Sequence, residues 1–225
     1  MSKLKRELLR TQDGSLTIHL PEWNESYHSK HGAIQEACHV FIKNGLDFFV
    51  HQKEVNILEI GFGTGLNAFI TLLESQNRNQ KINYTAVDAF PIEAEIYEKL
   101  NFHELLQAVG KQNLFLALHQ SPWEQKQEII SSFSLVKNKI RFEEISSENQ
   151  FDLIYFDAFG FRVQPELWSV EIFQTMYKAL KNEGMLTTYA ARGIITNNLK
   201  KSGFQVKKTN GPIGKREMTI AVKKA

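Results

Sequence analysis

Three glycines and three carboxylates stand at spacings that ligand chemistry uses. Gly61, Gly63 and Gly65 alternate within Val55-Asn-Ile-Leu-Glu-Ile-Gly-Phe-Gly-Thr-Gly-Leu-Asn67, just after a short apolar run and just before an apolar helical pattern. Alternating glycines let the backbone turn sharply and let a ligand lie on bare main chain, while the free N–H groups of the following helix point at the loop. A nucleotide-like ligand suits such a loop; an ordinary tight turn is the competing reading. Glu59 precedes the loop, and Asp88 ends the next apolar segment, Tyr84-Thr-Ala-Val-Asp88. An acid about 20 residues beyond the loop, at a strand tip, is where one carboxylate grips a ribose diol. Asp157 ends a third apolar segment, Phe151-Asp-Leu-Ile-Tyr-Phe-Asp157. In a doubly wound sheet the site lies outside the carboxyl ends of the central strands, so Asp157 is expected to share a crevice with the glycine loop, unless it only caps the next turn.

The elements that must hold these groups read as an α/β chain. Residues 1–50 are expected to form a small N-terminal hairpin, with Asp13-Gly14 as its turn, and a cap helix from Ala33 to about Asn44. Residues 51–225 are expected to form a Rossmann-like domain. Its strands are read at 55–60, 82–87 and 151–157, then at 185–190, with an antiparallel pair at 204–207 and 218–222 as an edge. Leu114–Leu118 reads as a short strand, and Phe133–Lys137 with Lys139–Phe142 as a strand pair or a strand plus a turn. The loop before the cap helix, Tyr27-His-Ser-Lys-His-Gly32, places Tyr27, Gly32 and Glu36 as candidates to line a pocket. His28, His31 and His39 invite a metal reading, but their spacing puts no ligand set on one helix face, so no metal is expected.

The chain has 225 residues, 42% hydrophobic and 23% charged, the composition of an ordinary soluble domain with a sizeable core. Cys38 is the only cysteine, which excludes an internal disulfide and a cysteine-rich zinc site. Apolar runs fall short of the roughly 20 residues that span a bilayer, and the charged N-terminus lacks a signal-peptide core, so no membrane partner and a cytoplasmic location are expected. The net charge is only +2, but lysine and arginine crowd both ends, among them Lys3, Lys5, Arg6 and Arg10, and Lys215 and Arg216.

The form Glu59-x-Gly61-x-Gly63-x-Gly65 resembles the first motif of class I S-adenosylmethionine-dependent methyltransferases. The resemblance narrows with Tyr27-His-Ser-Lys-His-Gly-Ala-Ile-Gln-Glu36, Gly61-Phe-Gly-Thr-Gly-Leu-Asn67, Asp157-Ala-Phe-Gly160 with Pro165-Glu-Leu-Trp168, and Gly211-Pro-Ile-Gly-Lys-Arg-Glu-Met218. Together these resemble the MnmD family, the methyltransferase half of MnmC. The resemblance implies a class I sheet, mostly parallel with an antiparallel C-terminal edge strand, and a stand-alone methyltransferase without the flavin oxidase half. It implies S-adenosylmethionine as cofactor, held by Tyr27, Glu36, Glu59, Gly61, Phe62, Gly63, Gly65, Asn67, Asp88, Ala89 and Asp157. The implied substrate is tRNA, methylated on the primary amine of 5-aminomethyl-(2-thio)uridine. Asp157 would orient that amine, Phe159, Phe161 and Trp168 would stack on the uracil, and an outward-facing Lys215 and Arg216 would bind phosphate. A small-molecule amine methyltransferase or aminopropyl-type transferase would share the cofactor site, and so would a non-enzymatic nucleotide-binding module.

Overall fold

The computed structural model describes residues 4–108 and 110–224; Lys3 of the N-terminal basic run and Val109 lie outside them. A three-stranded antiparallel sheet comes first: β1 (Glu7–Arg10), β2 (Leu16–Leu20) and β3 (Glu25–Ser26). Asp13 closes its first turn by accepting from the Ser15 N–H and from the hydroxyls of Thr11 and Ser15. α1 (Ala33–Ala37) continues into a π-helical segment, Cys38–Lys43.

The other strands join one eight-stranded sheet. In chain order the elements are β4 (Glu54–Ile60), α2 (Leu66–Arg78), β5 (Lys81–Val87), α3 (Ala94–Tyr97), α4 (Phe102–Leu105), α5 (Gln112–Gln120), β6 (Gln127–Ile130) and β7 (Phe133–Asn138). There follow β8 (Phe151–Phe156), α6 (Val170–Ala179), β9 (Leu180–Thr188), α7 (Gly193–Lys201), β10 (Gln205–Asn210) and β11 (Glu217–Val222). The spatial order is β10-β11-β9-β8-β4-β5-β7-β6. The inner pairs β9–β8, β8–β4, β4–β5 and β5–β7 are parallel, and β10, β11 and β6 pair antiparallel at the edges. The chain winds one way from β4 through β5 and the other way from β8 to β9. The crevice at that reversal opens between the carboxyl ends of β4 and β8, which carry the glycine loop and Asp157.

Alternate strand residues feed the two faces of the sheet. Leu153 and Tyr155 join a core with α2, α5 and the cap segment, while Ile154 and Phe156 join a second core with α6 and α7. Ile18, Leu20 and Ala33 belong to the first of these cores, so the N-terminal extension shares it with the sheet.

One expected strand is corrected. Residues 114–118 lie in α5, where Phe115 and Leu118, three apart, are buried on one helical face. A run of Leu-Phe-Leu-Ala-Leu is apolar enough for either period. Of the two readings of 133–142 the structure has the strand plus turn: β7 pairs with β6, and Phe142 starts a 3-10 turn. β9 also begins earlier than expected, at Leu180, with Glu183 at φ +60 in a bulge of its pairing with β8.

Candidate active site

The glycine loop leaves β4 because its main chain must pass against the end of β8. The Asp157 N–H donates to the Ile60 carbonyl at 3.0 Å, and a Cβ on Gly61, whose φ is +90, would sit 2.8 Å from the Asp157 carbonyl oxygen. Gly63 (φ +49) and Gly65 (φ +71) complete the left-handed turn, and Gly65 starts α2 with no side-chain cap. The amino end of a 13-residue helix therefore stands open toward the loop.

Asp88, at the tip of β5, braces this loop. Its two oxygens accept from the Gly63 and Phe90 N–H groups, both at 2.8 Å. Arg6 ties the other side down, donating to the carbonyls of Phe90 and Pro91 and to the Glu93 carboxylate. His28, whose pKa burial pushes down to about 4, bridges Thr17 of β2 to Thr64 of the loop at 3.0 and 3.1 Å. The loop is thus clamped from the sheet and from the N-terminal extension.

A cavity of about 1470 Å³ lies over these groups. Of the sequence-predicted residues, Tyr27, Glu36, Gly61, Phe62, Gly63, Asn67, Asp88, Ala89, Asp157, Phe159, Phe161, Lys215 and Arg216 line it. Gly65 stands one turn back, where a Cβ would meet His119 at 2.8 Å. Phe159 forms edge contacts with Tyr27 and Trp23, at centroid distances of 4.9 and 5.6 Å, and Arg192 lies over the Phe161 ring at 5.9 Å.

Three expectations change. Trp168 is fully buried, packed on Phe156 and Tyr189, and its indole N–H donates to the Phe159 carbonyl at 2.8 Å, so it supports the wall and offers no face to a base. Glu59 is 0% exposed beneath the loop and does not reach the cavity. Lys215 turns inward, pairing with Glu36 and lying 3.9 Å from the Tyr189 ring centroid, while Arg216 alone of the pair is exposed. Tyr189 itself went unread, although it follows β9 at the same end of the sheet as Asp157.

Burial dominates the electrostatics of the two acids nearest the loop's base, Asp157 and Glu59. Burial pushes the Asp157 carboxyl up to about 7; Glu36 adds to the rise, and the Asn67 amide, donating at 2.9 Å, and Lys215 oppose it. Asn67 and Tyr84 are the polar side chains beside the buried Glu59, and both favour its charged form. Burial, reinforced by Asp157, raises the Glu59 pKa well above the usual carboxylate range. A raised acid pKa means stability that is present at low pH and is lost as pH rises through the folded-state value. Glu59→Gln should therefore match the wild type near pH 4 and melt higher at pH 8, read by circular dichroism. A lower melting temperature at pH 8 would mean that an ionised carboxylate is needed there.

His28, His31 and His39 go to separate partners: His28 as described, His31 to Gln12, and His39 to the Asn210 carbonyl. Among the described residues no group of three or more His, Cys, Asp or Glu side chains could hold a metal ion, and no helix is long and apolar enough to cross a membrane.

A family model described as S-adenosyl-L-methionine-dependent methyltransferase matches residues 101–224. The bifunctional protein MnmC of Delftia acidovorans, named for tRNA 5-methylaminomethyl-2-thiouridine biosynthesis, is 28% identical over 222 residues, covering 92% of this chain and 33% of that protein. The chain thus spans about a third of the length of the curated relatives it matches. Among solved structures, MnmC2 of Aquifex aeolicus superposes with a TM-score of 0.79 at 22% identity, covering 100% of this chain and 72% of that one. Spermidine synthase of Thermotoga maritima gives 0.61 at 15% identity, covering 99% and 70%; at these identities both likenesses speak to the fold.

Proposed function

We infer the reaction from one premise: the chain belongs to the S-adenosyl-L-methionine-dependent methyltransferase family. We propose that it methylates the primary amine of 5-aminomethyl-(2-thio)uridine at the wobble position of tRNA, giving the methylaminomethyl product. The relatives named for that biosynthesis are similar along almost the whole chain, which supports the RNA substrate. One observation carries the reading. A single cavity is lined by the glycine loop, by Asp157, by Phe159 and Phe161, and by the exposed cations Arg162, Arg192 and Arg216. Cofactor, amine, base and phosphate each find a matching chemistry there, and a tRNA substrate puts the activity in the cytoplasm.

The loop fits the cofactor. Its floor is bare main chain, since a Cβ on Gly63 would lie 3.2 Å from the Tyr27 ring. Each Asp88 oxygen takes one backbone N–H and keeps a second lone pair for a vicinal diol. Gly61, Gly63 and Asp88 would hold the nucleoside, with Tyr27, Phe62 and Ala89 closing around it. When bound, S-adenosylmethionine supplies an electrophilic methyl group on a sulfonium.

This chain's residues have the amine to prepare. An alkylamine with a pKa of about 10.4 is mostly protonated near pH 7 and has no free lone pair. Asp157, fixed by Asn67, accepts a hydrogen bond from the amine and aims it along the line of attack. With its pKa about 7, the same carboxylate is matched to hold the departing proton. Phe159 and Phe161 present faces or edges to the uracil.

Incubation with methyl-labelled S-adenosylmethionine and tRNA carrying the aminomethyl group should place label in that nucleoside. Label in a free diamine instead, or none in RNA, would overturn the assignment.

A further inference from the structure

Behind the glycine loop lies a buried cation that does not line the cavity. Lys137, in β7, is 1% exposed, and its ammonium stands 5.4 Å from the Phe62 ring centroid and 4.9 Å from that of Trp123. It donates to the carbonyl of His119, in the last turn of α5, where helix carbonyls lack partners within the helix and the dipole favours a cation. Lysine is almost never fully buried unless paired, and among the described residues no carboxylate pairs with this one. Packing alone asks for no charge here, since a methionine would touch the same rings.

His119 carries the contact on to the loop. Its Nε2 atom lies 3.0 Å from the Thr64 carbonyl, which only accepts, so that nitrogen holds the proton. Burial pushes the His119 pKa down to about 3; the bond to Thr64 opposes this and the Lys137 charge adds to it, so the ring is neutral near pH 7. The ring is stacked on Tyr97 at a centroid distance of 4.3 Å and meets the Phe62 edge at 5.2 Å. Thr64, 2% exposed, is thus held by His119 at its carbonyl and by His28 at its hydroxyl.

We propose that Lys137 and His119 are positioning residues for the cofactor: the ammonium fixes the end of α5 and the Phe62 ring, and the His119 N–H passes that hold to the Thr64 carbonyl of the glycine loop. The inference rests on the cofactor lying on that loop, as read above. Burial pushes the Lys137 pKa down to about 8, so its charge is lost within a range the folded protein can be studied in. The other titratable groups around it are engaged elsewhere. Glu124, whose N–H donates to the Lys137 carbonyl, turns its carboxylate to the Lys139 N–H, and Asp88, at the end of the adjacent β5, turns to the loop. A neutral amine keeps a donor for His119 but loses its attraction to the two rings, so the loop should hold its ligand less tightly as the ammonium discharges.

S-adenosylhomocysteine, titrated by calorimetry, is the probe. Lys137→Met should weaken it about tenfold at pH 7, and the gap should close to within about twofold by about pH 9.5; the ligand's own ammonium titrates with both proteins and cancels from the ratio. His119→Leu should weaken it as much, His119→Gln, whose amide N–H can still reach the Thr64 carbonyl, should stay within about threefold of the wild type, and Lys137→Met with His119→Leu should be no worse than either alone. One measurement needs no variant to fold. Because linkage is reciprocal, saturating S-adenosylhomocysteine should raise the midpoint at which the Lys137 Cε resonance titrates in the wild type by about one pH unit, the equivalent of that tenfold difference. An unmoved midpoint, a gap between wild type and Lys137→Met that is constant with pH, or additive losses in the double variant would overturn the proposal. Lost affinity in Gly63→Val with full affinity in Lys137→Met would strike this proposal and leave the cofactor on the loop; full affinity in both would remove the cofactor from the loop and the proposal with it.

Discussion

Asp157→Asn should lower kcat by about 10²-fold or more while leaving cofactor affinity nearly intact, the scale of a positioning or acid–base contribution. Asparagine keeps the size of the side chain and can still accept from Asn67, so the geometry of the pair survives. What it lacks is the negative charge that orients an ammonium and a site for its proton. The wild-type rate should rise with pH through about 7 as the carboxylate ionises, and the variant should lose that limb. Stability should move the opposite way. The Asp157 pKa is raised on folding, so its contribution is fully present below about pH 4, the unfolded value, and is lost as pH rises through about 7. The variant cannot ionise and should melt above the wild type at pH 8, with the gap closing by pH 4. A variant that is slower and also less stable at pH 8 would return Asp157 to a structural role.

Gly63→Val should cost cofactor affinity about 10²-fold, equivalent to roughly 2.8 kcal/mol. Two effects combine. A β-branched residue is strained at φ +49, by roughly 1–2 kcal/mol, and its Cβ would press on the Tyr27 ring at 3.2 Å. Relief of either tilts the Gly63 N–H off Asp88, so the brace between the loop and that carboxylate is lost with it. Calorimetry with S-adenosylhomocysteine reads the effect directly. Affinity within about threefold of wild type would move the cofactor away from this loop.

The groups that could be read from sequence are those whose position follows from local chemistry. Gly61 to Gly65, Asp88 and Asp157 each sit where a parallel strand ends, and strand ends in a doubly wound sheet converge on one crevice. Direction across the chain is harder. Glycine and proline around Lys215 announce a turn, but nothing local says that the cation faces Glu36, 179 positions away, while Arg216 faces outward. Trp168 shows the same limit from the other side: an aromatic near a site can be its surface or its support, and only the indole bond to the Phe159 carbonyl decides. Arg6 read only as one of a basic cluster, because two of its partners are the main-chain carbonyls of Phe90 and Pro91, which any sequence would supply, and the third, Glu93, is 87 positions away.

The contacts between the cap segment and the end of the chain join residues far apart in sequence: Glu36 with Lys215, His39 with Asn210 at a separation of 171, and Val40 with Thr187 at 147. Closing loops of that length costs conformational entropy before any of these contacts can form, and topologies rich in such closures fold slowly. A nascent chain still lacking residue 215 can hold the glycine loop and Asp88 in place, whereas the Glu36–Lys215 pair forms only when the last hairpin docks.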